Sequence, residues 1–168
     1  MNAGPGPDRV RLLLDQMDYT HLEGGWFPPT RRVLEGLTAA QACHQASGAA
    51  TTHTIWELVS HLAFWKETCA RALRRLPRHP GRIENDATFG GIGDPADETG
   101  WRAAVDRLEK ADTAFREAVA GLRDADLDRP LSAGDVSARE LVSALNVHDG
   151  YHLGQIVLLA KLAGSSGE

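Results

Sequence analysis

This 168-residue sequence predicts an all-α fold, a four-helix bundle whose helices run up, down, down and up. Three observations predict it. Four long stretches repeat apolar residues at intervals of three and four, the period of an amphipathic helix, and no stretch alternates as a strand would. The connection over residues 77–97 carries Pro77, Pro80, Gly81, Gly90, Gly91, Gly93 and Pro95 without periodicity, which makes it a link and not an element. Two histidines, His148 and His152, stand four apart inside the apolar stripe of the last long segment, where Leu would be expected.

Residues 1–7 are rich in Gly and Pro and are read as a flexible N-terminus. From Asp8, the stripe Val10, Leu13, Leu14, Met17 and His21 marks the first long helix, which ends or kinks at Gly24-Gly25. Trp26-Phe27-Pro28-Pro29 restarts the chain, because proline suits the first turn of the short helical piece Thr30 to Leu37. Thr38 and Gln41 have the spacing of a capping box, in which each side chain satisfies the other residue's free backbone N–H, and another short turn follows. The polar stretch 45–53 is a loop.

Thr54 and Glu57 form a second capping box. It opens a helix whose seam, Ile55, Leu58, Leu62, Trp65, Cys69 and Ala72, repeats as a heptad to about Leu76. His61 flanks this seam and can turn into the bundle. The third long helix, from about Ala96 to Leu122, buries Trp101, Val105, Leu108, Ala111, Phe115, Val119 and Leu122. After a turn over 123–134, Ser137 and Glu140 make a third capping box, and the fourth helix follows Leu141, Leu145, His148, His152, Ile156 and Leu159 until Gly164 stops it. Residues 8–163 read as a single bundle domain, with 164–168 as a flexible tail.

Histidine depth selects the helix order. His148 and His152 share one face of a helix, about 6 Å apart along its axis, which is ligand spacing for one metal ion. The plain alternative is a pair of core histidines satisfied by hydrogen bonds. A metal needs a third ligand, and His61 is the candidate. It lies roughly 10 Å into its helix, while His152 lies about 15 Å from the far end of the last one. The rings meet if those helices are antiparallel, which a simple up-down-up-down bundle forbids and a long crossover between the second and third long helices permits.

Composition excludes several classes of function. A net charge of −5 with no basic run argues against nucleic acid as a partner. No apolar run approaches the roughly 20 residues of a membrane span. With only Cys43 and Cys69, and no charged-then-apolar leader, the chain reads as cytoplasmic with free thiols.

Residues 54–65, from Thr54-Ile55-Trp56-Glu57 through His61 to Trp65, and residues 148–159, from His148-Asp149-Gly150-Tyr151-His152 through Gln155 to Leu159, together resemble the DinB/YfiT-like superfamily. The likeness covers nearly the whole chain, including the break at Trp26-Phe27-Pro28. It implies an up-down-down-up bundle in which His61, His148 and His152 bind a divalent metal ion, zinc or nickel. It further implies, from some relatives, transfer of a low-molecular-weight thiol of the bacillithiol or mycothiol type to an electrophile. Many relatives have no known activity. Many also pair through bundle faces, so a homodimer is an expectation here, although no exposed stripe in the sequence demands it.

Three neutral imidazoles leave a divalent ion an open position, as in catalytic zinc. Beyond the water or thiolate that such an ion would hold, no catalytic side chain is singled out. Asp149 points about 100° away from His148, and Glu57 is read as a cap, so a strong general base is missing. The topology places His21, Trp26, His53 and Trp101 around the mouth as substrate-binding candidates, with a lid between Phe89 and Asp94. Tyr151 and Gln155 are candidates beside the histidine pair. The expected function is a metal-dependent thiol S-transferase. The alternatives are a non-catalytic metal- or ligand-binding stress-response protein, or a metal-dependent hydrolase.

Overall fold

The computed structural model describes residues 8–45, 53–77, 83–132 and 136–164. In chain order the helices are α1 (Arg9–His21), α2 (Thr30–Leu34), α3 (Ala39–Ala42), α4 (Ile55–Leu73), α5 (Glu98–Ala120) and α6 (Ala138–Leu162), with 3₁₀ turns at Asn85–Phe89 and Asp124–Asp126. The expected flexible N-terminus and all of the expected tail but Gly164 lie outside the described residues, as do parts of the loop before α4 and of the crossover.

All three capping boxes form. Thr54 Oγ1 accepts from the Glu57 N–H at 3.2 Å while the Glu57 carboxylate accepts from the Thr54 N–H at 2.7 Å, and Ser137 with Glu140 and Thr38 with Gln41 repeat the exchange. Such a cap is worth about 1 kcal/mol. The helix α4 stops three residues before the expected end because Arg75 adopts a left-handed φ of 54°, the conformation that closes helices and that glycine usually supplies. Glycine is required at Gly24, where φ is 70° and a Cβ would stand 2.8 Å from the Phe27 carbonyl oxygen.

Cross-helix pairs fix the directions. Glu67 meets Arg107 and Arg74 meets Glu117, so α4 and α5 run parallel. Ile55 and Leu58 share a cluster with Ile156 and Leu159, whereas Cys69 and Leu73 share one with Val142 and Leu145, so α4 and α6 run antiparallel. Asp18 pairs with Arg116 and His21 approaches Glu109, which makes α1 antiparallel to α5. The order is up-down-down-up. The segment between α4 and α5 therefore returns along the bundle, and its 3₁₀ turn packs on α4 with Thr88 and Phe89 buried. Expected to hold no element, it does hold one.

Two apolar clusters fill the bundle. One gathers the starts of α4 and α5 with the end of α6, around Ile55, Leu58, Trp101, Leu108, Ile156 and Leu159. The other gathers the start of α1, the ends of α4 and α5 and the start of α6, around Leu13, Met17, Phe115, Val119, Val142 and Leu145. Near the junction of the two clusters every long helix carries buried polar side chains: His21, Lys66, Asp112, Asn146, Asp149 and His152, with His61 at the boundary. An interior that changes from apolar to ionic and back within about two turns is unusual, since each buried charge needs a partner.

Candidate metal centre

His61 enters from α4 and His148 and His152 from α6. The Nε2 of His148 lies 3.0 Å from Nε2 of His61 and 3.1 Å from Nε2 of His152, and ligand atoms of all three lie within 4.8 Å of one another. The i, i+4 spacing stacks the α6 pair, with ring centroids 4.4 Å apart, and the antiparallel crossing brings His61 to 4.9 and 5.0 Å from them.

The surrounding acceptors decide which nitrogens carry protons. Thr88 Oγ1 donates to the Asn85 carbonyl at 2.6 Å, so toward His61 Nδ1, at 2.5 Å, it can only accept. Gln155 Oε1 stands 2.6 Å from His152 Nδ1, while the Gln155 amide N–H donates to Tyr151 Oη at 3.3 Å. Both histidines thus carry the proton on Nδ1 and turn bare Nε2 lone pairs to the centre. A proton on His148 Nε2 could be shared with only one of them. Burial first, then the neighbouring imidazoles, lowers the His61 pKa to about 3, and burial lowers that of His152 as well. The lone pairs of His61 and His152 converging beside His148 Nε2 fit a divalent cation of the kind imidazole favours, such as zinc or nickel. His61 is 2% exposed but the His148 side chain is 29% exposed, so the centre opens to solvent on the His148 side.

The other expected site residues are not gathered into one rim. Tyr151 and Gln155 stand beside His152. His53 is near but screened: its ring stacks on Phe89 at 3.6 Å, and Phe89 stacks on His61 at 3.9 Å. Trp101 lies in the core and donates its indole N–H to the Leu37 carbonyl at 2.7 Å. Trp26 is fully exposed and borders a different cavity of about 690 Å³ between α1 and α6, with Tyr19, Phe27, Asn146, Val147 and Gly150. His21 is buried, 3.2 Å from Glu109 Oε1 and 3.7 Å from Asp112 Oδ2. Of the expected lid, Phe89 is a wall of the centre, and Gly93 packs so tightly on the Trp56 ring that a Cβ would lie 2.5 Å from it.

Sequence reasoning missed the polar layer beside the centre. Lys66 Nζ, 2% exposed with the rest of its residue, donates to Asp112 Oδ1 at 2.8 Å and to Asp149 Oδ2 at 2.5 Å. Burial alone would lower the Lys66 pKa, but the two carboxylates outweigh it and raise it. Burial would likewise raise that of Asp149, and Lys66 holds it below the usual carboxylate range. Through Asp112 the chain of groups reaches His21 and then Glu109, whose carboxyl is pulled down to about 2 by His21 and Arg31 against burial. Asp149, expected to point away from His148, turns its Oδ1 back to 3.8 Å from His148 Nδ1. A second sequence stripe, Val142, Leu145, Asp149, His152, Ile156 and Leu159, has the heptad spacing that would have placed it inside.

Residues 28–156, which include all three histidines and both capping boxes of the long helices, match the family model of the DinB superfamily. No curated protein and no solved structure matches the chain.

Proposed function

The chain belongs to the DinB superfamily, and on that premise we propose that it is a divalent-metal protein acting as a transferase of a low-molecular-weight thiol, of the bacillithiol or mycothiol type, to an electrophile. One observation carries the reading: three imidazole Nε2 atoms converge, those of His61 and His152 bare, with one side open to solvent and with no carboxylate or thiol among them. An all-imidazole set leaves the cation's charge unneutralised by its ligands. A divalent ion held there lowers the pKa of a thiol or water that reaches it.

The chain's own side chains hold and orient. Thr88 and Gln155 fix the His61 and His152 rings, Phe89 covers the His61 face against water, and Tyr151 borders the open side. The thiol sulfur forms a bond to an electrophilic carbon as the carbon–leaving-group bond, or an epoxide C–O bond, breaks, and the thiol's proton passes to solvent. No base is needed for that step. Hydrolysis would benefit from one, and Glu57 is committed to its cap, which favours thiol transfer over the hydrolase reading.

Metal analysis of protein purified without a histidine tag, followed by conjugation assays with a panel of small thiols and electrophiles, tests the proposal. One divalent ion per chain and metal-dependent C–S bond formation are expected. Metal binding without turnover would favour the non-catalytic alternative, and no saturable binding would end both.

We also propose that the chain pairs with a second copy. The outer stripe of α6, Val147, Tyr151, Leu158 and Leu162, is exposed and apolar, as are Tyr19, Trp26 and Phe27 beside it. A stripe the sequence did not announce supports the pairing. Light scattering should give twice the chain mass, and a monomer at high concentration would refute it.

A further inference from the structure

We infer that Asp149 is the positioning residue of His148, and that Lys66 holds its carboxylate from within the core. The inference rests on the three-histidine centre described above and concerns how one ligand is aimed. His61 and His152 each have a neutral acceptor on Nδ1, from Thr88 and Gln155. His148 Nδ1 is buried and has no hydrogen-bond partner. Asp149 Oδ1 is also buried without a partner, and the two orphaned atoms face each other at 3.8 Å, just beyond hydrogen-bond reach.

The other oxygen of Asp149 cannot let go. Its Oδ2 accepts from Lys66 at 2.5 Å, and Lys66 is held in turn by Asp112 at 2.8 Å. The carboxylate is thus pinned with its free oxygen toward the imidazole. A small turn of the His148 ring lets Nδ1–H donate to Asp149, which fixes the tautomer with a bare Nε2 and makes that nitrogen a stronger donor to a cation. His148 is also the most exposed of the three ligands and so the one least confined by packing. Its tether is the charged one. The charges agree: one ammonium and two carboxylates leave the layer at −1 beside a site for a cation.

If Asp149 serves only to pair with Lys66, it should behave like Asp112, which pairs with the same ammonium at the same depth but faces His21. Zinc affinity of the tag-free chain, measured by chelator competition, separates the two roles. Asp149→Asn should lose about 10- to 100-fold in affinity, while Asp112→Asn stays within about threefold because Lys66 still pins Asp149 directly. Equal losses in both variants, or no loss in Asp149→Asn, would overturn the inference. Should Asp149→Asn not fold, the zinc-loaded parent decides by ¹⁵N–¹H spectroscopy of its histidines. The His148 Nδ1–H proton should resonate further downfield than those of His61 and His152, because its acceptor is charged; a position at or upfield of theirs overturns the inference. Failure of the parent to bind zinc would sink this inference together with the proposed function. Normal binding in Asp149→Asn would sink the inference alone.

Discussion

Two polar layers lie about one turn apart in the same bundle, and they are built on opposite principles. In the layer of Lys66, Asp112 and Asp149 the ammonium meets both carboxylates within 2.8 Å, so that opposite charges face one another. In the layer of His61, His148 and His152 the groups that meet are alike, imidazole Nε2 atoms at 3.0 and 3.1 Å, and a proton on His148 Nε2 would satisfy only one of the two contacts. Folding alone does not reward that meeting. Burying an ion pair is compatible with a purely structural role, whereas three imidazole nitrogens aimed at one point make sense as a ligand set. The difference separates what the fold needs for itself from what it offers to something else.

The largest expected effect falls on the imidazole layer. His148→Ala or His152→Ala should abolish saturable zinc binding that the parent shows at one ion per chain, read by calorimetry at about pH 7.5. Retained tight binding in His152→Ala would show the histidines to be ordinary core residues and erase the contrast. The ionic layer should fail in the other currency: Lys66→Met leaves two buried carboxylates unpaired and should cost about 3 to 5 kcal/mol of folding stability in urea titrations, with or without zinc. A loss below about 1 kcal/mol would mean that the layer is solvated and not a structural element.

Acid should tell the layers apart next. The His61 pKa in the folded protein is depressed to about 3, below its unfolded value near 6.5, so between those limits the unfolded chain binds the extra proton. Stability of the metal-free chain should therefore fall as pH drops from about 6.5 toward 3. Zinc affinity should weaken over the upper part of the same window, since only the neutral ring coordinates. Midpoints flat across that range would contradict the burial of the imidazoles. Smaller still, Thr88→Val removes the acceptor on His61 and should lower zinc affinity about tenfold without unfolding the chain. An unchanged affinity would show that the crossover only covers the centre. His21→Ala, separated from the centre by Asp112 and Lys66, should change it by less than about threefold.

What could be read from the sequence was local or periodic. The three capping boxes are four-residue patterns whose hydrogen bonds close on themselves, and each formed as read. The histidine triad and the helix order were legible because the spacing of His148 and His152 and the length of the crossover constrain geometry directly. Lys66 and Asp149 were not recognised, although both lie on heptad-spaced stripes, because a charged residue on a stripe is ordinarily at its edge and nothing in the sequence shows that each finds the other. Thr88 carried no signal at all and Phe89 was read only as the edge of a lid: their roles arise from where the crossover touches α4. Trp26 and Trp101 fitted an aromatic rim in composition, but one stands outside the bundle and the other in its core.

The spacing of the ligands along the chain has a consequence for synthesis. His61 and the crossover residues that brace it are made early, yet its partner His148 lies 87 positions further on, and His152 and Gln155 come later still. A nascent or truncated chain that stops before α6 carries one ligand of three and can retain a divalent ion only weakly. Tight occupancy would then distinguish finished chains from unfinished ones, and a protease acting on polypeptides that fail to gain stability from the ion would remove the unfinished ones first.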